Sequence, residues 1–250
     1  ERILVMDRHS AEMAKYASNA FLATRISFIN EIAGLCEAVG ADVESVRKAI
    51  GMDPRIGSRY LSPGIGYGGS CLPKDVRALI HTARRYGAPM QLVEAVQGVN
   101  SQQPLRAMQR IREHFDGDLE GRRIAVWGLA FKPETDDVRE SPSLELIRLL
   151  VEAGASVTAY DPQACDAARP LLPAPVALCA DQYEALRDAE ALIIATEWDA
   201  FRAPDFARMR ALMKAPVIFD GRNIYDPVVL HEHGFRHYSI GRAAGSDAAI

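Results

Sequence analysis

The stretch from Ser10 to Val39 contains no proline and a single glycine, Gly34. Apolar residues recur within it at intervals of three and four, the period of a helix face. We predict one long helix that begins at Ser10 as N-cap, ends at Gly40 and is about 45 Å long at the standard rise. The first half of the chain offers too few neighbours to bury such a helix. We therefore expect a homodimer built on residues 10–39.

The sequence changes character near its middle. Helical spacing predicts further helices over 42–50, 74–86 and 91–115, with an irregular stretch over 51–71. After residue 116, short apolar runs alternate with helical segments, and they predict strands at 123–127, 156–160, 176–178, 191–195 and 217–219 and a helix at 143–153. Such alternation indicates a parallel sheet covered on both faces. We predict an α/β chain, with an all-helical dimerisation domain at 1–116 and a Rossmann-like parallel-sheet domain at 117–250.

The segment 62–75, SPGIGYGGSCLPKD, delivers a cysteine to the start of a predicted helix. Its glycines allow positive φ and let backbone N–H groups approach a ligand closely. Pro73 suits the first helical position, and both the helix N-terminus and Lys74 favour the thiolate of Cys71. Asp75 is within reach to handle a proton. The pattern indicates a reactive thiol beside a pocket, although a lone cysteine is more often a small buried residue.

The glycines at 64–69 also match GxGxxG, the fingerprint of dinucleotide-binding turns. No apolar strand precedes them, and Pro63 interrupts the segment. Where the fingerprint requires a helix already under way, this sequence continues with Cys71 and Pro73. We reject this match as a dinucleotide site.

In a parallel sheet, ligands bind beyond the carboxyl ends of the strands. Lys132 and Arg222 follow two predicted strands and are candidates for holding a phosphate. Phe131 and Trp198 are candidates for packing on a ring. Asp161 has the position of an acidic residue that grips an NAD ribose, but without the accompanying glycines. Strand-end polar residues that merely cap helices are the alternative.

Composition narrows the function classes. A net charge of −4 and a pI near 5.9 provide no field that would attract nucleic acid. The four cysteines lack metal-ligand spacing, and the sequence has no long apolar span. We expect a cytoplasmic protein with no metal, no membrane insertion and no nucleic-acid partner. The chain begins with Glu1 rather than Met, and we expect it to be part of a longer protein.

Four segments occur in order: EMAKYASNAFLATRISFINE, GMDPRIG, GYGGSCLPKD and WGLAFKPETDDVRES. In them the chain resembles the UDP-glucose/GDP-mannose dehydrogenase family, with matching spacing over essentially its whole length. Four motifs in register are far more specific than any one of them. The resemblance implies the central and nucleotide-sugar-binding parts of an NAD-dependent enzyme. The Rossmann domain that holds most of the NAD would precede residue 1 and is missing here.

Members of this family oxidise the C6 alcohol of a nucleotide sugar to a carboxylate, using two NAD in succession. The resemblance implies that Cys71 captures the aldehyde as a thiohemiacetal, whose oxidation gives a thioester for hydrolysis. Lys15 and Asn19 are implied to stabilise the oxyanion and hold water, and Asp75 to assist proton transfer. Without its NAD domain, the chain is expected to bind a UDP-sugar but not to oxidise it.

The implied UDP-sugar site draws on both domains and comprises Lys15, Asn19, Arg55, Tyr60, Ser62, Gly64, Ile65, Gly66, Tyr67, Gly68, Phe131, Lys132 and Arg222. Arg55 is implied to reach the substrate of the neighbouring subunit. Cys71, Lys74 and Arg139 are implied to lie on the NAD side. UDP-glucose is the favoured substrate. GDP-mannose or UDP-N-acetylmannosamine is an alternative, as is a non-catalytic module that binds nucleotide sugars or serves assembly.

Overall fold

The computed structural model describes residues 3–243. Its first part is helical and consists of α1 (Arg8–Val39), α2 (Val43–Gly51), α3 (Leu72–Arg85) and α4 (Gln91–His114). The predicted N-cap of α1, Ser10, is wrong. Asp7 caps the helix instead, because its carboxylate accepts the backbone N–H of Ser10. The helix ends as predicted at Gly40, whose φ of 76° is a left-handed conformation that suits glycine.

The helical part has only small apolar clusters. Ala20 and Ala23 of α1 pack with side chains of α3 and α4, and Ile29 and Ala33 pack around Val43 of α2. A different face of α1 leaves large apolar side chains in solvent. These are Phe21, Phe28 and Leu35, which are 64%, 51% and 59% exposed. Because they are seven residues apart, they form one stripe along the helix.

The second part is a six-stranded sheet flanked by helices. Its strands are β1 (Arg123–Trp127), β2 (Ser156–Tyr160), β3 (Ala177–Leu178), β4 (Ala191–Ile194), β5 (Val217–Asp220) and β6 (Arg236–Ser239). Its helices are α5 (Pro142–Glu152), α6 (Cys165–Ala168), α7 (Asp199–Arg202), α8 (Phe206–Leu212) and α9 (Pro227–Glu232). All strand pairs are parallel, in the order 3-2-1-4-5-6 of the Rossmann fold. The predicted α/β fold class is confirmed.

The sixth strand was not predicted. β6 reads Arg-His-Tyr-Ser and has no aliphatic residue, so the hydrophobic pattern gives no strand signal. It forms because β5 offers a free parallel edge, with Val217 paired to Arg236 and Asp220 paired to Ser239.

Helix α4 packs in both parts. Val93 and Val96, near its start, belong to the apolar cluster of the helical part. Met108 and Ile111, near its end, belong to the core of the sheet part. A limit at residue 116 therefore marks a change of secondary structure rather than a break in packing. The domain limits 1–116 and 117–250 remain predictions.

Candidate active site

A cleft of about 640 Å³ opens where the helical part meets the carboxyl ends of the strands. This is the edge at which parallel sheets bind ligands. Ten of the predicted site residues line it: Asn19, Tyr60, Ser62, Gly66, Tyr67, Gly68, Cys71, Phe131, Lys132 and Arg222. Residues 60–72 form much of its wall, together with the loops that follow β1, β4 and β5.

Two helix asparagines hold the glycine-rich loop. The side-chain oxygen of Asn30 on α1 accepts the N–H of Gly64 at 2.8 Å. Asn100 on α4 accepts the N–H of Tyr67 at 2.9 Å and donates to its carbonyl at 3.0 Å. Burial raises the pKa of Tyr67 to about 12, so its phenol stays neutral at physiological pH. Sequence reasoning missed both asparagines, because a lone amide on a helix carries no signal of what it contacts.

Two glycines let this loop touch the sheet part. A Cβ atom at Gly68 would lie 2.2 Å from the carbonyl oxygen of Glu140, a distance that backbone atoms cannot relieve cheaply. At Gly69, where φ is 85°, a Cβ would lie 2.6 Å from the ring of Phe131. The N–H of Gly69 donates to the carbonyl of Arg139 at 2.8 Å. Glycine is therefore required at both positions for close approach.

Cys71 occupies the N-cap position of α3 and is exposed. The helix begins at Leu72, so Pro73 is its second residue rather than its first as predicted. The thiol caps no backbone group of the helix, and the hydroxyl of Ser70 is within hydrogen-bond distance of it, with Oγ 3.7 Å from Sγ. The sulfur is accessible in the cleft, as a nucleophile must be.

Lys74 lies near this thiol, as predicted, and its ammonium also forms an ion pair with Asp75, with Nζ 2.5 Å from Oδ1. Asp75 has no solvent exposure, and it also accepts hydrogen bonds from Asn19 at 2.5 Å and Lys15 at 3.3 Å. Burial alone would raise its pKa, but the bonds from Lys74, Asn19 and Lys15 outweigh burial and lower the pKa below the usual value. Lys15 and Lys74 remain 60% and 57% exposed. The ionised carboxylate of Asp75 thus accepts hydrogen bonds from three side chains, and two of them, Lys15 and Lys74, extend to solvent.

The sheet part supplies Phe131 and Lys132 from the loop after β1. The ring of Phe131 packs beneath Gly69, and the Lys132 ammonium lies 5.4 Å from the centre of that ring. Both side chains line the cleft. The arrangement combines an aromatic ring with an exposed cation.

Arg222, after β5, ties the sheet to the glycine loop. Its Nε donates to the carbonyl of Ala195 at 2.8 Å, and its Nη1 donates to the carbonyl of Gly66 at 3.2 Å. Glu197 lies 3.4 Å from Nε and forms an ion pair with it. The guanidinium is largely buried but still lines the cleft, so a positive charge faces any ligand there.

The buried carboxylates at the strand ends serve the protein's own backbone. Asp161, after β2, accepts the N–H groups of Leu129, Ala130, Gln163 and Ala164 and the indole N–H of Trp198. Asp161 is therefore fully used and cannot grip a ribose. Trp198 is buried, so its predicted role as a ring partner is wrong. Asp220 likewise accepts the N–H groups of Arg222 and Tyr225.

Some predicted residues lie outside the cleft. Ile65 is buried in the sheet core, and its N–H donates to the carbonyl of Gly221. Gly64 lies behind the loop, against Arg222. Arg139 lines a neighbouring cleft and binds Asp137, with two nitrogen–oxygen distances of 2.9 and 2.8 Å. Arg55 is 87% exposed and binds Asp53.

The cleft also contains charged helix residues that sequence reasoning missed: Glu44 and Arg47 of α2 and Arg202 of α7. Glu44 and Arg47 form an ion pair at 2.8 Å. On a helix such residues resemble any solvated surface pair, so their pattern contained no signal for a site.

Over residues 3–243, no group of three or more histidine, cysteine, aspartate or glutamate side chains is placed to hold a metal ion. Within the same range, none of the helices is both long and apolar enough to span a membrane.

Comparison with known proteins gives consistent matches. Residues 9–102 match the central domain of the UDP-glucose/GDP-mannose dehydrogenase family, and residues 125–227 match its UDP binding domain. The UDP-glucose 6-dehydrogenase of Pseudomonas aeruginosa is 48% identical over 97% of this chain and 54% of that protein.

Solved structures agree. A UDP-glucose dehydrogenase from Pyrobaculum islandicum matches with a TM-score of 0.86 and 41% identity, over 96% of this chain and 53% of that one. A UDP-D-ManNAc dehydrogenase from Pyrococcus horikoshii matches with a TM-score of 0.81 and 29% identity, over 97% of this chain and 54% of that one. The chain spans about half the length of the curated relatives it matches.

Proposed function

We propose a function from the premise that this chain belongs to the UDP-glucose/GDP-mannose dehydrogenase family. It forms the central and UDP-binding parts of a UDP-glucose 6-dehydrogenase, which oxidises UDP-glucose to UDP-glucuronate with NAD. The observation that carries the proposal is a single cleft that contains an exposed thiol, Cys71, from one part and two cations, Lys132 and Arg222, from the other.

The cleft suits a nucleotide diphosphate sugar. Lys132 and Arg222 supply positive charge for the diphosphate, and the ring of Phe131 supplies an apolar face. The glycine loop adds backbone next to the ligand, because Gly66, Tyr67 and Gly68 line the cleft beside Tyr60 and Ser62. The base, diphosphate and sugar would thus lie between the two parts.

The chemistry we propose takes place at the sulfur of Cys71. Its thiolate attacks the carbonyl carbon of a C6 aldehyde, forming a carbon–sulfur bond and placing negative charge on the aldehyde oxygen. Lys15 and Asn19 each have N–H groups beyond those bonded to Asp75, and these stabilise that charge. After oxidation to a thioester, water releases the carboxylate and restores the thiol. An ionised Asp75 holds both donors in place and accepts rather than donates a proton.

NAD, when bound, would supply the hydride acceptor for both two-electron oxidations, of the C6 alcohol to the aldehyde and of the thiohemiacetal to the thioester. Of the described residues, we propose that Cys71, Lys74 and Arg139 line the NAD site. The two cations fit an anionic cofactor, since both are exposed. The pKa of Arg139 is raised by its bonds to Asp137 and, more weakly, by the nearby Cys71. The loop after β1 does not fit the pyrophosphate, because α5 begins only at Pro142. The main NAD site would therefore belong to another part of the protein.

We also propose a homodimer through α1. The stripe of Phe21, Phe28 and Leu35 is unburied by the chain itself, and a second copy of α1 would cover it. Arg55 is absent from the lining of its own cleft, and we propose that it enters the cleft of the second copy. The cytoplasmic location remains a prediction.

The alternative substrate is UDP-N-acetylmannosamine, because the similarity to the Pyrococcus horikoshii structure extends over nearly the whole chain. GDP-mannose is a further alternative, since the family model includes GDP-mannose dehydrogenases. A non-catalytic module that binds nucleotide sugars is the third alternative, and unlike the two enzymes it needs no reactive thiol.

The decisive experiment measures thermal stabilisation of this chain by UDP-glucose, UDP-N-acetylmannosamine and GDP-mannose. A ligand at 100 times its dissociation constant stabilises by about 2.7 kcal/mol, and a non-ligand by nothing. We expect UDP-glucose to stabilise most, and Arg222→Met to abolish the effect. Arg169→Met, which removes an exposed partner of Asp166 remote from the cleft, is the control. If UDP-N-acetylmannosamine or GDP-mannose stabilised the chain more strongly, that compound would replace UDP-glucose as the proposed substrate.

The thiol is tested separately by alkylation with iodoacetamide and mass spectrometry. Bound UDP-glucose should slow modification of Cys71 and leave Cys179, which lies outside the cleft, unaffected. Equal rates with and without the ligand would separate the thiol from the sugar site and favour the non-catalytic module. Formation of NADH by the chain alone would contradict the proposal that it lacks the main NAD site.

A further inference from the structure

An arginine on α1 holds the backbone next to Arg55. The guanidinium of Arg25 donates from Nη1 to the carbonyl of Ile56 and from Nη2 to the carbonyl of Gly57, both at 2.6 Å. Its Nε is buried and has no partner among the described residues. Two parallel hydrogen bonds from a planar guanidinium fix both the position and the orientation of the backbone that accepts them.

The held segment, residues 53–57, is a closed turn. The N–H groups of Ile56 and Gly57 donate to the carbonyl of Asp53 at 2.9 and 2.8 Å. The carboxylate of Asp53 accepts the N–H of Arg55 at 2.9 Å and its Nη2 at 2.6 Å. Gly57 has a φ of 69°, which favours glycine. The turn thus holds the guanidinium of Arg55 in one orientation, exposed to solvent.

The turn emerges beside the apolar stripe of α1. Arg25 is four residues after Phe21 and three before Phe28, so the three side chains share one side of the helix. The turn 53–57 contributes nothing to the lining of its own cleft, whereas Tyr60 does, only a few residues later. Arg55 therefore projects from the edge of the surface that we assign to a second copy.

We propose that Arg25 is a positioning residue that fixes the turn 53–57, so that Arg55 enters the UDP-sugar cleft of the second copy. The inference rests on the proposed function, which supplies the dimer and the ligand. On ligand binding, the Arg55 guanidinium exchanges its exposed contact with Asp53 for an anionic or hydroxyl oxygen of the ligand. Each cleft then depends on a side chain held by α1 of the other chain.

Single variants test the positioning role with UDP-glucose as the probe, by calorimetry and sedimentation. Arg25→Met and Arg55→Met should each weaken binding about tenfold while leaving the chain dimeric. Arg25→Lys should recover part of the loss, because an ammonium can hold one carbonyl but lacks the planar fork. Arg84→Met is the matched control, since Arg84 forms only an exposed surface pair with Glu94 at 2.9 Å.

Mixed dimers test whether the effect crosses between subunits. Arg25→Met chains keep an intact cleft, and Arg222→Met chains keep an intact turn. Co-refolding equal amounts should give tight binding in about one quarter of all clefts, because half of randomly formed dimers are mixed and each has one complete site. Neither variant alone should show this tight fraction.

The outcomes separate the inference from its premise. Unchanged binding by Arg55→Met would overturn the proposed role of Arg55, and this inference with it. Weak binding by Arg55→Met but normal binding by both Arg25 variants would overturn the role of Arg25 alone. Loss of the dimer in Arg25→Lys, or absence of the tight fraction in the mixture, would overturn positioning across the interface.

Discussion

In the sheet part, the carboxylates that follow the strands are buried and bind the protein's own backbone, whereas in the helical part a buried carboxylate gathers side chains that extend to solvent. Asp161 accepts four backbone N–H groups and the indole of Trp198. Within residues 3–243, the carboxylate of Asp75 accepts hydrogen bonds from the side chains of Lys15, Asn19 and Lys74. A position at a strand end therefore identifies the right loop, but not which of its residues faces the ligand.

The two parts also differ in how completely they bury apolar side chains. The sheet part has one continuous core that includes Trp127 and Phe201. The helical part has two small clusters and leaves Phe21 and Phe28 exposed. The sheet part therefore buries its apolar side chains within one chain, while the helical part leaves an apolar surface that we propose a second copy covers.

The largest expected effect concerns the strand-end carboxylate. Asp161→Ala should lower the free energy of unfolding by about 4 kcal/mol, because several buried donors lose their acceptor at once. Urea denaturation gives the value. Asp166→Ala, five residues later and in an exposed pair with Arg169, should change stability by less than about 0.5 kcal/mol. Equal effects of the two would contradict the structural role of Asp161.

The next effect concerns the apolar stripe. Phe28→Asp should raise the dimer dissociation constant at least about 100-fold, because a twofold interface contains the substitution twice. Sedimentation equilibrium measures it. Tyr86→Asp, at an exposed apolar side chain outside α1, should leave the dimer intact. If the unmodified chain were monomeric, the proposal that a second copy covers the apolar stripe would be wrong.

The smallest effect concerns Asp75. Asp75→Asn should cost about 2 kcal/mol at neutral pH, since the amide loses the charge that Lys15 and Lys74 bind. The folded pKa lies below the ordinary 3.8, so the unfolded chain takes up the proton first as pH falls. The stability that Asp75 adds is then present above pH 3.8 and is lost below it.

Urea midpoints at pH 7, 5 and 3 follow this loss. The difference between the unmodified chain and Asp75→Asn should be constant from pH 7 to 5 and smaller at pH 3. Asp118→Asn, at an exposed carboxylate, is the control. A difference that does not change with pH would mean that Asp75 acts through its shape rather than its charge.

The sequence predicted those features of the structure that depend on residues close together along the chain. The proline-free run and Gly40 predicted the length and end of α1, and alternating apolar runs predicted the parallel strands. The glycines before Cys71 indicated a thiol beside a pocket, and the structure places that thiol in a cleft. In each case the determining residues lie close together along the chain.

The features that were missed depend on distant contacts. β6 forms because β5 leaves an edge open, and no pattern within Arg-His-Tyr-Ser reports that edge. Asn30 and Asn100 hold the glycine loop from two different helices, at sequence separations of 34 and 33 residues. Trp198 turns inward because Asp161 accepts its indole. Such choices are set by tertiary packing, which a single sequence does not display.

The double packing of α4 bears on how the cleft admits a ligand. This helix is embedded at one end in a helical cluster and at the other in the sheet core, with Pro104 between the two ends. Bending it would strip Val96 or Met108 of its neighbours, and each buried side chain of this size contributes roughly 2 kcal/mol. A change in the width of the cleft therefore carries a packing cost at one end of α4 or the other. A ligand that fits the cleft then enters through its open side, without the two parts moving apart.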